Sequence, residues 1–128
     1  LRWTWILRDT VLAVHDEHLA EHGGEPGIRS DRLLDSALDR PKNKAHYERP
    51  SAAALAAAYA FALVKNHPFL DGNKRTAAVV SELFLSLHNA ELRATDAEVV
   101  ETIEGVAGGR ISEEELISFF KTHARTTC

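Results

Sequence analysis

The chain has 128 residues, 45% of them apolar and 27% charged, with a net charge of −4. That length suits one domain over 1–128 that buries about two-thirds of its unfolded surface, and the mild negative charge argues against bulk attraction to nucleic acid or to an anionic membrane. One cysteine, Cys128, excludes an intrachain disulfide; with no apolar run long enough for a span and no signal-peptide core in Leu-Arg-Trp-Thr-Trp, a cytoplasmic protein is expected.

Periodicity predicts helix almost throughout. From Ile6 to Glu21, the residues Ile6, Val11, Val14, His18 and Leu19 fall near one face, and Gly23-Gly24 should end the helix. Ser30 caps a short helix from Asp31 to Asp39 with Leu33, Leu34, Ala37 and Leu38 inward, ended by Pro41. Residues 41–50 lie between two prolines and read as a surface loop or small extended flap. Ser51 then caps Ala52 to Lys65, which is apolar on all sides and so expected at the centre.

Asn66 to Gly72 reads as a loop, because Pro68 disfavours helix at His67 and Gly72 breaks the next turn. A long helix follows from Asn73 to about His88, with Ala77, Val80, Leu83, Phe84 and Leu87 facing in. Thr95-x-x-Glu98 and Ser112-x-x-Glu115 are capping-box signatures for two shorter helices separated by Gly108-Gly109, the last docked by Phe119 and Phe120. The expected fold class is all-α: a single-domain bundle of about six helices with a short loop or β flap.

The chemistry concentrates between His67 and Arg75. His67 is a candidate general base, since imidazole takes a proton readily near neutrality. Asp71 suits a Mg²⁺ ion bridging phosphates. Gly72 lets backbone approach a phosphate closely, and Asn73 either caps the helix or turns its amide to a phosphate oxygen. Lys74 and Arg75 follow in the first helical turn, a poor place for cations unless an anion binds there. Phe69 should point into the core. Singly each residue has an ordinary structural role; together they form a phosphoryl- or nucleotidyl-transfer site.

The run His67-Pro-Phe-Leu-Asp71-Gly72-Asn73-Lys74-Arg75 resembles the signature of the Fic/Doc family, with Lys74 marking the Doc branch. Fic enzymes usually have Gly at position 74 and a second Arg where this chain has Ala78. Gly27-Ile28-Arg29, Leu33 to Leu38 and Ala57 to Phe61 extend the resemblance outward. It implies transfer of the γ-phosphate of ATP, with Mg²⁺, to a hydroxyl of a protein target, elongation factor Tu being the known target class. The alternative is Fic-type AMP transfer. His67 is then the base, Asp71 the metal ligand, and Gly72, Asn73, Lys74 and Arg75 the phosphate binders.

The same resemblance places a target-aligning flap at Lys42, Asn43, Lys44, Ala45, His46 and Tyr47, where a target segment would add as a strand. It also implies a small antitoxin with a disordered C-terminal tail that folds onto the toxin. No inhibitory (Ser/Thr)-x-x-x-Glu-(Gly/Asn) segment occurs, since Glu104-Gly105 has Val100 four positions earlier. Two other function classes compete. His18-Leu-Ala-Glu21-His22, with His15 one turn earlier, matches a zinc-peptidase pattern, although solvent-facing histidines are the plainer reading. A helical interaction module without catalysis is the other.

Overall fold

The helix from Ala52 to Asn66 owes its place to composition: eleven of its fifteen residues are buried, and six of its first seven are alanines that let neighbours approach closely. In the computed structural model, which describes residues 2–127, the elements run α1 (Arg8–His22), α2 (Asp31–Tyr47), α3 (Ala52–Asn66), α4 (Asn73–Leu87), β1 (Ala90–Leu92), α5 (Asp96–Ala107), α6 (Glu113–His123) and β2 (Ala124–Thr126). Six helices thus form an all-α bundle with one small two-stranded ribbon. Cys128 lies outside the described residues. Among the described residues no helix is long and apolar enough to cross a membrane.

α3 is the axis of the bundle, flanked most extensively by α4, α2 and α6. Val80, Phe84 and Leu85 of α4, Leu34 and Ala37 of α2, and Leu116 and Phe120 of α6 close around it. Tyr59 is fully buried, and its hydroxyl accepts the Ile6 N–H at 2.9 Å. That bond fixes the extended segment before α1, so Ile6 is buried ahead of the helix rather than within it. Ser30 and Ser51 cap α2 and α3 by accepting from the N–H three residues on, at 3.1 Å each. Both capping boxes, Thr95 with Glu98 and Ser112 with Glu115, are formed. Leu87 departs from expectation: at the end of α4 it is 47% exposed.

The loop expected at 41–50 is a larger departure. α2 continues through Pro41 to Tyr47, and only the stretch around Glu48 to Ser51 is extended. An interior proline forfeits one backbone bond and costs about 3 kcal/mol. Here the Pro41 ring is buried in the core, Arg40 pairs with Glu113 of α6, and Lys44 pairs with Glu48 one turn on at 3.2 Å. Burial and these flanking pairs offset the cost. The β element lies elsewhere: β1 and β2 pair antiparallel, with Glu91 opposite Arg125, joining the end of α4 to the end of α6.

Candidate active site

α3 terminates at His67, a left-handed C-cap with φ 50° and ψ 55°. That conformation costs a non-glycine residue about 1–2 kcal/mol, so something must hold it. Arg29 does. Its Nε donates to the His67 carbonyl at 2.7 Å and its Nη2 to the Asn66 carbonyl at 2.8 Å, capping the helix end with charge. The Arg29 and Ser30 N–H groups both donate to the Pro68 carbonyl, and the Leu70 N–H donates to Gly27. Ile28 and Phe69 therefore form an antiparallel bridge, and the loop after α3 is backed by a segment some forty residues earlier in the chain.

Below the bridge the loop is clamped twice. The Phe69 ring, 1% exposed, stacks on His15 of α1 with centroids 3.8 Å apart and planes 10° from parallel. His15 Nε2 then donates to the Asp71 carbonyl at 2.8 Å, which fixes its tautomer. Asn73 closes the second clamp: its Oδ1 accepts from the Phe69 N–H at 3.0 Å and its Nδ2 donates to the Phe69 carbonyl at 2.9 Å. Both ends of the buried amide are thus engaged. Asn73 therefore does not cap α4, correcting that expectation; its amide shapes the loop through Phe69.

The cap position belongs to Gly72, at φ 79° and ψ 15°, where a side chain would be strained and its Cβ would come within 2.7 Å of His18 Cδ2. A glycine cap supplies no side-chain acceptor, and the first turn of α4 holds no acid. The leading N–H groups of α4 therefore face outward unpaired, with the positive helix end behind them and Lys74 and Arg75 beside them. Asp71 precedes this start. One of its carboxylate oxygens accepts from Gly72 N–H at 2.9 Å and the other from Glu25 N–H at 3.3 Å, which aims the group while leaving lone pairs for a cation.

His67, Asp71, Gly72, Asn73, Lys74 and Arg75 line one open cavity of about 410 Å³, with His18 on its α1 side. The six residues singled out in the sequence therefore share one cavity, with the Asn73 amide bonded to Phe69. A phosphate at the α4 start would meet N–H groups and two cations, a divalent ion would reach Asp71, and His67 is exposed at the rim. Lys74 is also engaged by Glu104 of α5 at 3.0 Å, both side chains half exposed.

Four contributors escaped the sequence reading: Arg29, His15, His18 and Glu104. The histidines are not solvent-facing. His15 is 3% exposed, and His18 is partly buried with its Nδ1 lacking a hydrogen-bond partner. Burial pushes the His18 imidazole below its usual value, aided by His22, Arg75 and His15 and opposed by Asp71. The signal that located these two residues was their one-turn spacing, read for zinc instead. Among the described residues no group of three or more His, Cys, Asp or Glu side chains is placed to hold a metal ion. Glu21 merely pairs with its neighbour His22.

The flap candidates are redistributed by the extension of α2. Asn43, Lys44 and Tyr47 line a cavity of about 340 Å³ between α2 and α3 that reaches Asn66, next to His67. Ala45 faces Trp3 in another cleft, His46 packs edge-on against Tyr47, and Lys42 is exposed. Backbone groups inside a helix are already bonded, so 42–47 cannot add a strand.

A family model for the Fic/DOC family matches residues 5–85, from before α1 to near the end of α4. The chain belongs to the Fic/DOC family. It is 29% identical over 105 residues to the "Protein kinase doc" of Escherichia phage P1, spanning 81% of this chain and 82% of that protein. It is 38% identical over 74 residues to the "Toxin Doc" of Mycolicibacterium smegmatis, spanning 56% of this chain and 57% of that one. Both relatives are Doc proteins, in keeping with Lys74 and Ala78, and this chain falls on the Doc side of the Fic/DOC family. Enzymes of this family use nucleotide and metal, and the capless α4 start with Asp71 beside it fits both.

Proposed function

We propose that this chain is a Doc-type toxin that phosphorylates a protein target with the γ-phosphate of ATP. The observation that carries the reading is a single cavity holding a histidine, a carboxylate and a helix start with unpaired N–H groups and two cations. The α4 start and Lys74 and Arg75 would hold the phosphates, Asp71 would hold Mg²⁺, and the bound ion would supply charge neutralisation across the phosphate oxygens. His67, fixed at the end of α3 by Arg29, takes the proton of the target hydroxyl. The hydroxyl oxygen then bonds to the γ-phosphorus, the bond to the β-phosphate oxygen breaks, and ADP leaves.

The name of the phage relative, a protein kinase, supports γ-transfer over AMP transfer, as does Ala78, which removes the second Arg of the Fic signature. The family resemblance points to elongation factor Tu as target and to a small antitoxin with a disordered C-terminal tail as neutraliser. A target segment has room beside His67 in the α2–α3 cavity with Asn43, Lys44 and Tyr47.

Incubation with candidate targets and ATP labelled at either the α- or the γ-phosphate tests the reading. Transfer of γ-label, lost in His67→Ala and in Arg75→Ala, is expected. Transfer of α-label makes the chain an AMP transferase, and label transfer undiminished in His67→Ala removes the assigned base.

A further inference from the structure

His18 lines the cavity at the α4 start although it lies far outside the run from His67 to Arg75. It comes from α1, one turn after His15. The ring edge carrying Cδ2 and Nε2 is pressed against Gly72: a Cβ there would lie 2.7 Å from Cδ2 and 3.3 Å from Nε2. The other ring nitrogen, Nδ1, is buried and has no hydrogen-bond partner. Nε2 is therefore the nitrogen at the cavity, beside the residue that caps α4. A neutral imidazole carries one N–H and one bare nitrogen. Orphaned buried N–H groups are rarer than under-satisfied acceptors, so the proton belongs on Nε2.

The surrounding charges decide which side of the ring suits an anion. His18 and Arg75 also border a smaller cleft of about 230 Å³ between α1 and α4, whose walls carry Glu17 and Glu21. Two carboxylates repel an anion there. On the Gly72 side Asp71 is the one acid among the lining residues, and two backbone N–H groups already hold its carboxylate. Lys74 is engaged by Glu104, whereas Arg75 forms no ion pair among the described residues. His18 and Arg75 thus bring two uncommitted donors to one cavity from two helices. Burial, with His22 and Arg75 nearby, keeps the His18 ring below its ordinary pKa, so it adds a donor without a third positive charge.

We propose that His18 is a phosphate ligand: its Nε2–H donates to an oxygen of the phosphate seated against Gly72, from α1, while Arg75 approaches from α4. The role is binding and orientation, and the proton transfer stays with His67. The contact gives the closeness of His18 and Gly72 a consequence, because a side chain at position 72 would displace imidazole and phosphate together. The inference rests on the α4 start being a polyphosphate site, and the experiment separates the two.

Affinities for magnesium tripolyphosphate are measured by calorimetry on the wild type, His18→Phe, His18→Gln and Arg75→Ala, with the melting temperature of each. His18→Phe keeps a ring and removes both nitrogens. It is expected to bind at least about tenfold weaker, as for a lost hydrogen bond to a charged group. Its melting temperature should not fall, since the unpartnered Nδ1 goes too. His18→Gln places an amide N–H near the position of Nε2 and should stay within about threefold of wild type, less than one such bond is worth. In wild-type protein labelled at the histidine ring nitrogens, the His18 Nε2 resonance should move as tripolyphosphate is added and saturate with the calorimetric affinity. Wild-type affinity in His18→Phe, with affinity lost in Arg75→Ala, overturns the inference and leaves the phosphate site standing. A His18→Gln variant as weak as His18→Phe overturns it too, because the ring and not its donor is then what matters. An unmoved Nε2 resonance does the same, and is decisive even if His18→Phe does not fold. Tripolyphosphate that fails to bind the wild type, or binds Arg75→Ala equally well, defeats the phosphate site itself and the inference with it.

Discussion

Replacing Asn73 with Ala is predicted to damage the loop before it damages anything else. The side chain is 5% exposed, and its two hydrogen bonds go to the N–H and C=O of Phe69, itself buried. Truncation leaves two interior backbone groups unpaired, each costing about 1–3 kcal/mol. Alanine recovers roughly 0.5 kcal/mol through helix propensity at the first turn. The net loss is about 3 kcal/mol, which for a domain of this size lowers the melting temperature by about 10 °C. Scanning calorimetry on wild type and Asn73→Ala reads the shift directly, and tripolyphosphate titration well below the melting range reads the ligand side. A phosphate ligand would behave oppositely, with affinity lost and the melting point held. If the variant melts within about 2 °C of wild type, less than a single lost buried bond would cost, Asn73 is not the clamp described and the reasoning fails.

Thr76 is fully buried with its hydroxyl unpartnered, so Thr76→Val should raise stability by about 1 kcal/mol in urea unfolding; a decrease would show that the hydroxyl has a partner. Burial pushes the Tyr59 hydroxyl up to about 12 from 10.0. The folded chain thus holds this proton where the unfolded chain releases it, and the associated stability is complete below pH 10 and lost from there towards pH 12, on the order of 2–3 kcal/mol. Urea midpoints across that range should fall less steeply in Tyr59→Phe, which also exposes the cost of an unpaired Ile6 N–H at neutral pH; parallel slopes would refute the assignment. Glu104→Gln frees Lys74 from an exposed pair worth under about 1 kcal/mol, so ATP affinity at low salt should rise by at most about fivefold. Weaker binding in that variant would show that Glu104 helps hold the nucleotide.

Much of the fold was legible because it is written in local rules. Ser30, Ser51, Thr95 and Ser112 announce helix starts through their own side chains, and α3 announces its central place by lacking a polar face. What failed was non-local. Pro41 reads as a stop, and only the core beneath it and Glu113 above Arg40 make it a tolerable interior residue. The β1–β2 ribbon pairs segments more than thirty residues apart, with three residues on each side and no hairpin turn to signal it. In the site, residue types gave His67, Asp71, Gly72, Lys74 and Arg75 together, since one contiguous run carries them. That Asn73 does not cap α4 was not legible, because an amide at a helix start has several plausible partners, and the sequence does not say that Phe69 is within reach. Arg29 and His15 act on that run from distant segments, so no spacing rule could connect them.

The bridge between Ile28 and Phe69 bears on how ligands gain access. Loops that carry chemistry are commonly the parts that open and close around a substrate. Here the motif is bonded to the 27–30 segment, stacked on α1 and clamped by its own helix, so the amides of Phe69 and Leu70, unlike the unpaired ones at the α4 start, should exchange with solvent only when the whole bundle unfolds. Any movement that admits a nucleotide or protein target falls to the opposite walls, α5 and the stretch after α2. The chemistry is the stationary part of this molecule, and its surroundings are the gate.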